Sequence, residues 1–182
     1  MNERMLIEKT ISCGAGKATV IPVSQIVMAK EFRDICAGNG CGKYGRCWTC
    51  PPDIGDVHAL MDKVRKYARG LCFQTIVQIE DSFDIEGMSE GSRAHARVSR
   101  DVRRALLAEV GEAALFLGCG GCGLCDECTK PSGEPCRHPE DACAAMEGYG
   151  IDVYNTVKDT GLKYINGQNT VTFFGLVLYG EG

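Results

Sequence analysis

The chain has 182 residues, 45% of them apolar and 24% charged, with a net charge of −4. That size and mix fit one globular domain, 1–182, and no basic patch or long apolar run points to nucleic acid or membrane as a partner. Twelve cysteines is a high count for a chain long enough to fold without disulfides.

The first thirteen residues hold no apolar core and no small-residue cleavage site of a signal peptide. The expected location is therefore the cytoplasm, where thiols stay reduced. From Pro22 to Cys36, the spacing of Ile26, Val27, Phe32 and Ile35 predicts a helix with Pro22 in its first turn. A cysteine loop follows at 36–52, closed by Pro51-Pro52. Asp53 to Arg69 predicts an amphipathic helix through Val57, Leu60, Met61, Val64 and Tyr67, stopped by Gly70. Leu71–Glu80 is apolar and β-branched and predicts a strand.

Residues 81–92 read as a polar loop. Ser92 to about Val110 carries Ala94, Val98, Val102, Ala105 and Leu106 on one side and predicts a long helix. Ala113–Gly118 predicts a short strand or helix end. The second cysteine loop spans 119–139. A helix near Glu140–Glu147, a short element at 151–161 and a strand at 169–180 containing Gly175 complete the chain. The expected class is α/β or α+β: a small mixed sheet with flanking helices and two cysteine-rich loops.

The loops carry the chemistry. Cys36, Cys41, Cys47 and Cys50 follow the spacing Cx4Cx5Cx2C, and Cys122, Cys125, Cys128 and Cys136 follow Cx2Cx2Cx7C. Thiolates gathered this closely repel unless protonated, oxidised or neutralised by a metal. In a reduced compartment a metal is the natural partner. Four soft, charged sulfur ligands suit a [4Fe–4S] cluster, and glycines in the loops leave backbone N–H groups free to face its sulfides. Neither loop has the ferredoxin spacing Cx2Cx2Cx3CP, although proline follows Cys50 directly. Zinc in paired CxxC knuckles is the purely structural alternative, and a Cx2Cx2C row departs from that paired habit. Disulfides are a third and lesser alternative.

Cys13 and Cys72 stand among apolar neighbours and read as buried free thiols. Cys119 and Cys143 lie beside the second loop and are further candidate ligands. His138 lies within that loop and reads as a hydrogen-bonding neighbour of the centre. His58 and His95 sit on helices away from the cysteines. Trp48 and Tyr44 would shield the first centre from water or simply pack.

Arg93, Arg97, Arg100 and Arg104 share one helix face, with Arg103 nearby. They read as a solvated face, or as a docking patch for an acidic redox partner. Gly87-Met88-Ser89-Glu90-Gly91 matches a nucleophile elbow by letter, but its loop context argues against a hydrolase. Gly118, Gly120 and Gly123 match a dinucleotide fingerprint by letter, and the cysteines between them assign them to the loop instead.

At these residues the sequence resembles an uncharacterised cysteine-rich family of predicted metal-binding proteins, domain of unknown function 2284. The resemblance rests on Tyr44-Gly45-Arg46-Cys47-Trp48-Thr49-Cys50-Pro51-Pro52, on Gly121-Cys122-Gly123-Leu124-Cys125 with Cys128, and on Cys136-Arg137-His138-Pro139-Glu140. Met146-Glu147 and Gly150-Ile151-Asp152-Val153 extend it, so that it covers about residues 30–155. It implies metal or iron–sulfur binding with no settled reaction. Where the family carries Arg-Pro-Ser before Met-Glu, this chain has Cys143-Ala144-Ala145, which singles out Cys143.

The resulting expectation is a protein with two [4Fe–4S] clusters that transfers electrons in a reduced cytoplasm. One cluster would sit on Cys36, Cys41, Cys47 and Cys50, the other on Cys122, Cys125, Cys128 and Cys136. A redox protein or a small molecule would be the partner. The alternatives are an enzyme with an open-iron cluster and a zinc-stabilised interaction module.

Overall fold

The computed structural model describes residues 2–182. A five-stranded sheet in the order β1-β2-β5-β3-β4 forms its centre. The strands are β1 (Lys17–Pro22), β2 (Tyr67–Gln78), β3 (Leu115–Gly118), β4 (Ala144–Ala145) and β5 (Thr170–Glu181). β3 and β4 run parallel and the other neighbours antiparallel, so the sheet is mixed and the class is α+β. Among the described residues there are five helices: α1 (Glu3–Ser12), α2 (Lys30–Ala37), α3 (Val57–Arg65), α4 (Ile85–Val110) and α5 (Val153–Val157).

The two long strands, β2 and β5, divide the core by side-chain alternation. Leu71, Phe73, Val177 and Tyr179 face α1 and α4, where Leu6, Val102, Leu106 and Val110 meet them. Cys72, Phe174, Leu176 and Leu178 face the other way, onto Val64 of α3 and Val153 and Val157 of α5. Both faces are covered, so every residue of 71–75 is buried, the polar Gln74 and Thr75 included. The sheet tolerates Gly175 because Phe73, its register partner, lies across it. A Cβ there would meet the Phe73 ring at 2.1 Å.

Several elements differ from their sequence expectation, each for a local reason. The helix expected from Pro22 begins only at Lys30. Pro22 ends β1, Val23–Gln25 is a 3₁₀ turn, and Met28 bridges to Ile151 as a short extended pair. Asp53–Arg69 is helical only over Val57–Arg65, capped by Asp56, whose carboxylate accepts from Ala59 N at 3.0 Å. Gly70 does not stop it. It lies inside β2, which begins at Tyr67 and carries the apolar side chains on into the sheet.

α4 starts seven residues earlier than the apolar pattern suggested. Asp84 caps it, accepting from Gly87 N at 2.7 Å, so most of the expected loop at 81–92 is helix. The letter match at Gly87–Gly91 therefore lies within a helix rather than at a strand-to-helix elbow. The helix expected near 140–147 is instead the two-residue strand β4 followed by a 3₁₀ turn, Met146–Tyr149. Pairing of Ala144 and Ala145 with Leu117 and Gly118 draws that segment extended. α1 and β1 had no counterpart in the sequence reading.

Candidate metal centre

The two cysteine loops pack on each other. The first leaves α2 at Cys36 and turns through Asn39, Gly42 and Gly45, all with positive φ. Asn39 Oδ1 accepts from Tyr44 N at 3.1 Å, and Gly45 N donates to Pro51 O at 2.8 Å. Arg33 pins α2 beneath the loop by donating to Gly148 O and Gly55 O, each at 2.8 Å. Cys47 and Cys50 close one turn, with Cys50 N donating to Cys47 O at 3.0 Å. Both are buried, at 1% and 6% exposure, whereas Cys41 is exposed and Cys36 half-buried.

The second loop leaves β3 at Gly118 and is tied down by Thr129. That hydroxyl, on a residue 4% exposed, donates to Pro135 O at 2.9 Å. It also accepts from Trp48 Nε1 at 3.3 Å, and the same indole N–H reaches Glu134 O at 3.1 Å. Lys130 Nζ lies 4.2 Å above the Trp48 ring and pairs with Asp53. Gly121 completes the join: a Cβ there would meet Lys43 Cγ at 2.6 Å, so the two loops approach at contact distance.

Three of the cavities at this join concern the cysteine sets. The first, about 240 Å³, is lined by Cys36, Cys41 and Cys50, by Phe32, Ile35 and Tyr44, and by Glu147. A second, about 20 Å³, lies between Cys47, Cys122, Cys125, Cys128 and Cys136 beside Trp48 and His138. A third, about 40 Å³, is lined by Cys119, Cys122 and Cys143 against α4 at His95, Ser99 and Arg100. Among the described residues no three Cys, His, Asp or Glu side chains converge tightly enough to hold a single metal ion.

The electrostatics follow from burial and from thiol–thiol contact. The Cys50 thiol donates to the Cys47 sulfur, lowering the pKa of Cys47 and raising that of Cys50. Thr49 Oγ1 stands 3.3 Å from the same Cys47 sulfur, and the Cys122 N–H also favours its charge. Burial pushes Cys122 up to about 11 and Cys119 up to about 12. The Cys143 thiol is likewise raised by burial, and it donates to Asp141 O at 3.6 Å. Cys72 is raised to about 12 by burial inside the sheet core, and Cys13 is raised for the same reason at the edge of the α1 side.

In the arginine stripe of α4, Arg93, Arg97 and Arg104 are exposed and Arg100 is half-buried. Arg104 pairs with Asp141 at 2.8 Å, Arg103 lies 4.8 Å over Phe116, and Arg100 lines the third cavity with a buried Nε that has no hydrogen-bond partner. His58 is exposed on α3, whereas His95 is 3% exposed and belongs to the core. Sequence reasoning attached no chemistry to Glu147, although Met146-Glu147 is among the motifs that carry the resemblance. Burial raises its carboxyl pKa, and its Oε2 is buried without a hydrogen-bond partner. No helix among the described residues is long and apolar enough to cross a membrane.

A family model described as "Predicted metal-binding protein (DUF2284)" matches residues 19–179. The match reaches past the 30–155 span of the motifs and takes in the sheet from β1 to β5. No curated protein and no solved structure gives a significant match to the chain.

Proposed function

The chain belongs to the predicted metal-binding protein family DUF2284, and from that premise we propose that it holds two [4Fe–4S] clusters and passes electrons between partners in a reduced cytoplasm. Cys36, Cys41 and Cys50 of the first loop would stand at one cluster. Cys122, Cys125, Cys128 and Cys136 would hold the other.

The observation that carries this reading is the cavity at the first loop. Its volume of about 240 Å³ leaves room for a body much larger than a single metal ion. Three thiols stand in its lining, and Gly40, Gly120, Gly121 and Gly148 contribute stretches of wall without Cβ atoms. Such a wall presents sulfur ligands and close backbone to one compact, electron-rich body. A single zinc with Zn–S bonds of about 2.3 Å would need its sulfurs about 3.8 Å apart. A cube offers one iron to each thiolate and suits sulfurs spread around a wider space. The second cavity, about 20 Å³, would take a cluster only as the loop from Cys122 to Cys136 moves outward. That loop holds one short 3₁₀ turn, Lys130–Ser132, as its regular structure.

The residues' own part is to hold, insulate and connect. Phe32, Ile35 and Tyr44 would keep water from the first centre, and Trp48 stands against the second. Thr49 lines both cavities and would put the two centres on neighbouring sides of one partition.

Purification without oxygen tests the reading. Brown protein with about eight irons and eight sulfides per chain and a broad band near roughly 400 nm is expected. Colourless protein that carries zinc overturns it. An enzyme with an exchangeable iron is the second reading, and the apolar wall of Phe32, Ile35 and Tyr44 facing the thiols favours it. Its signature would be a small ligand that alters the EPR spectrum of the first centre.

A further inference from the structure

We infer that Glu147, rather than Cys47, supplies the fourth protein ligand of the first centre, making it a site of three thiolates and one carboxylate. The inference rests on the iron–sulfur reading above and concerns which side chains reach the metal.

Four observations meet here. Cys36, Cys41 and Cys50 line the 240 Å³ cavity, and Cys47 does not. The Cys47 sulfur lines the cavity on the other side of the partition, with Cys122, Cys125, Cys128 and Cys136. It also stands 3.3 Å from the Thr49 hydroxyl. Glu147 lines the first cavity opposite the loop, close enough for its charge to act on Cys36.

The fourth observation concerns Glu147 itself. Its Oε2 is shielded from solvent and has no hydrogen-bond partner. A buried carboxyl oxygen left bare is costly, and the protein offers it no donor. Two cations of the join are committed elsewhere: Arg33 to the carbonyls of Gly148 and Gly55, and Lys130 to Asp53. A turn of the carboxylate toward the cavity that Glu147 lines would let a metal there satisfy this oxygen. The turn that presents Glu147 is held from both sides, by β4 pairing with β3 and by Arg33 on Gly148 O.

The consequence is chemical asymmetry between the two centres. A carboxylate is a harder ligand than a thiolate and is held less tightly by iron in a sulfur-rich cluster. The iron facing Glu147 is the one a small anionic or neutral donor molecule could reach by displacing the carboxylate. Phe32, Ile35 and Tyr44 line the same cavity and would bound such a molecule. The second centre, with five thiols around it, has no such weak position.

The test uses full-length protein carrying Cys125→Ser and Cys128→Ser, so that only the first centre is loaded, purified without oxygen. About four irons per chain are expected in this parent. Adding Glu147→Gln should lower the count to about three and produce the EPR signal of an oxidised three-iron cluster. Adding Glu147→Cys should restore about four irons, since a thiolate at the same place completes the set. Adding Cys47→Ala should leave the first centre's count and spectrum unchanged. Iron and spectrum unaltered by Glu147→Gln, or the loss of an iron on Cys47→Ala with none on Glu147→Gln, overturns the inference while leaving the iron–sulfur reading standing. A parent and wild type that both lack iron overturn the two together.

Discussion

The indole Nε1 of Trp48, in the first cysteine loop, donates to the hydroxyl of Thr129 in the second at 3.3 Å. Through this contact the turn holding Cys47 and Cys50 is fixed against the loop holding Cys122, Cys125, Cys128 and Cys136. The same hydroxyl donates onward to Pro135 O, and Trp48 also reaches Glu134 O. The loops therefore act as one mechanical unit, and loading one centre should be felt at the other.

Trp48→Phe keeps most of the ring and removes the N–H. It should cost about 1 kcal/mol in urea unfolding and speed the loss of metal to a chelator from both loops. A variant that sheds metal from one loop only would show that the Trp48–Thr129 contact does not couple them.

Cysteines of the core and of the loops should separate cleanly. Cys72 is 3% exposed within the sheet core, and Cys72→Ala should lower stability by about 1 kcal/mol with metal content unchanged. Cys125→Ser should leave stability of the sheet nearly intact and reduce bound metal. Metal analysis beside thermal unfolding checks both, and a metal-depleted Cys72→Ala protein would contradict the division.

His95 makes stability depend on pH. It is 3% exposed; its Nε2–H donates to Phe174 O at 3.0 Å and its Nδ1 accepts from Thr75 Oγ1 at 2.9 Å, the neutral tautomer that a carbonyl partner requires. Burial lowers its pKa from 6.5 to about 4. The unfolded chain thus takes up a proton near the ordinary histidine pKa while the folded one resists until about 4. The stabilisation is complete above the ordinary value and is lost as pH falls toward the folded value. Between pH 7.5 and 5.5 the wild type should lose about 1.4 kcal/mol that His95→Gln does not lose. Urea titrations of the two proteins at both pH values measure the difference, and equal losses would remove His95 from the account.

Gly175 tests the packing of the two long strands. Its missing side chain leaves the space that the Phe73 ring fills, and Gly175→Ala forces the ring aside or bends β5. A loss of about 1–3 kcal/mol is expected. Combining it with Phe73→Leu should recover part of that loss, because the smaller side chain vacates the clash.

Much of this architecture was legible in the chain. The β-branched run of 71–80 and the apolar spacing of Val102, Leu106 and Val110 follow from periodicity, because each buries one stripe or face. The two cysteine loops stood out by composition alone. Boundaries were missed where side chains or partners decide them. Asp84 extends α4 back through a stretch rich in glycine and serine. β4 exists because β3 lies beside it, and Tyr67–Gly70 joins the sheet because Pro22 and Ile21 pair there.

By itself the sequence determined that eight thiols lie in two short loops, since ligand spacing is a local property. Which space each sulfur faces is a matter of packing over long separations. The second loop docks on Trp48, Cys47 falls on its side of the partition, and a 3₁₀ turn about a hundred residues beyond the first loop brings Glu147 to the cavity of Cys36, Cys41 and Cys50. Only the tertiary structure could decide that, because neither the Cx2C spacing at Cys47 nor the Met146-Glu147 pair encodes which surfaces meet.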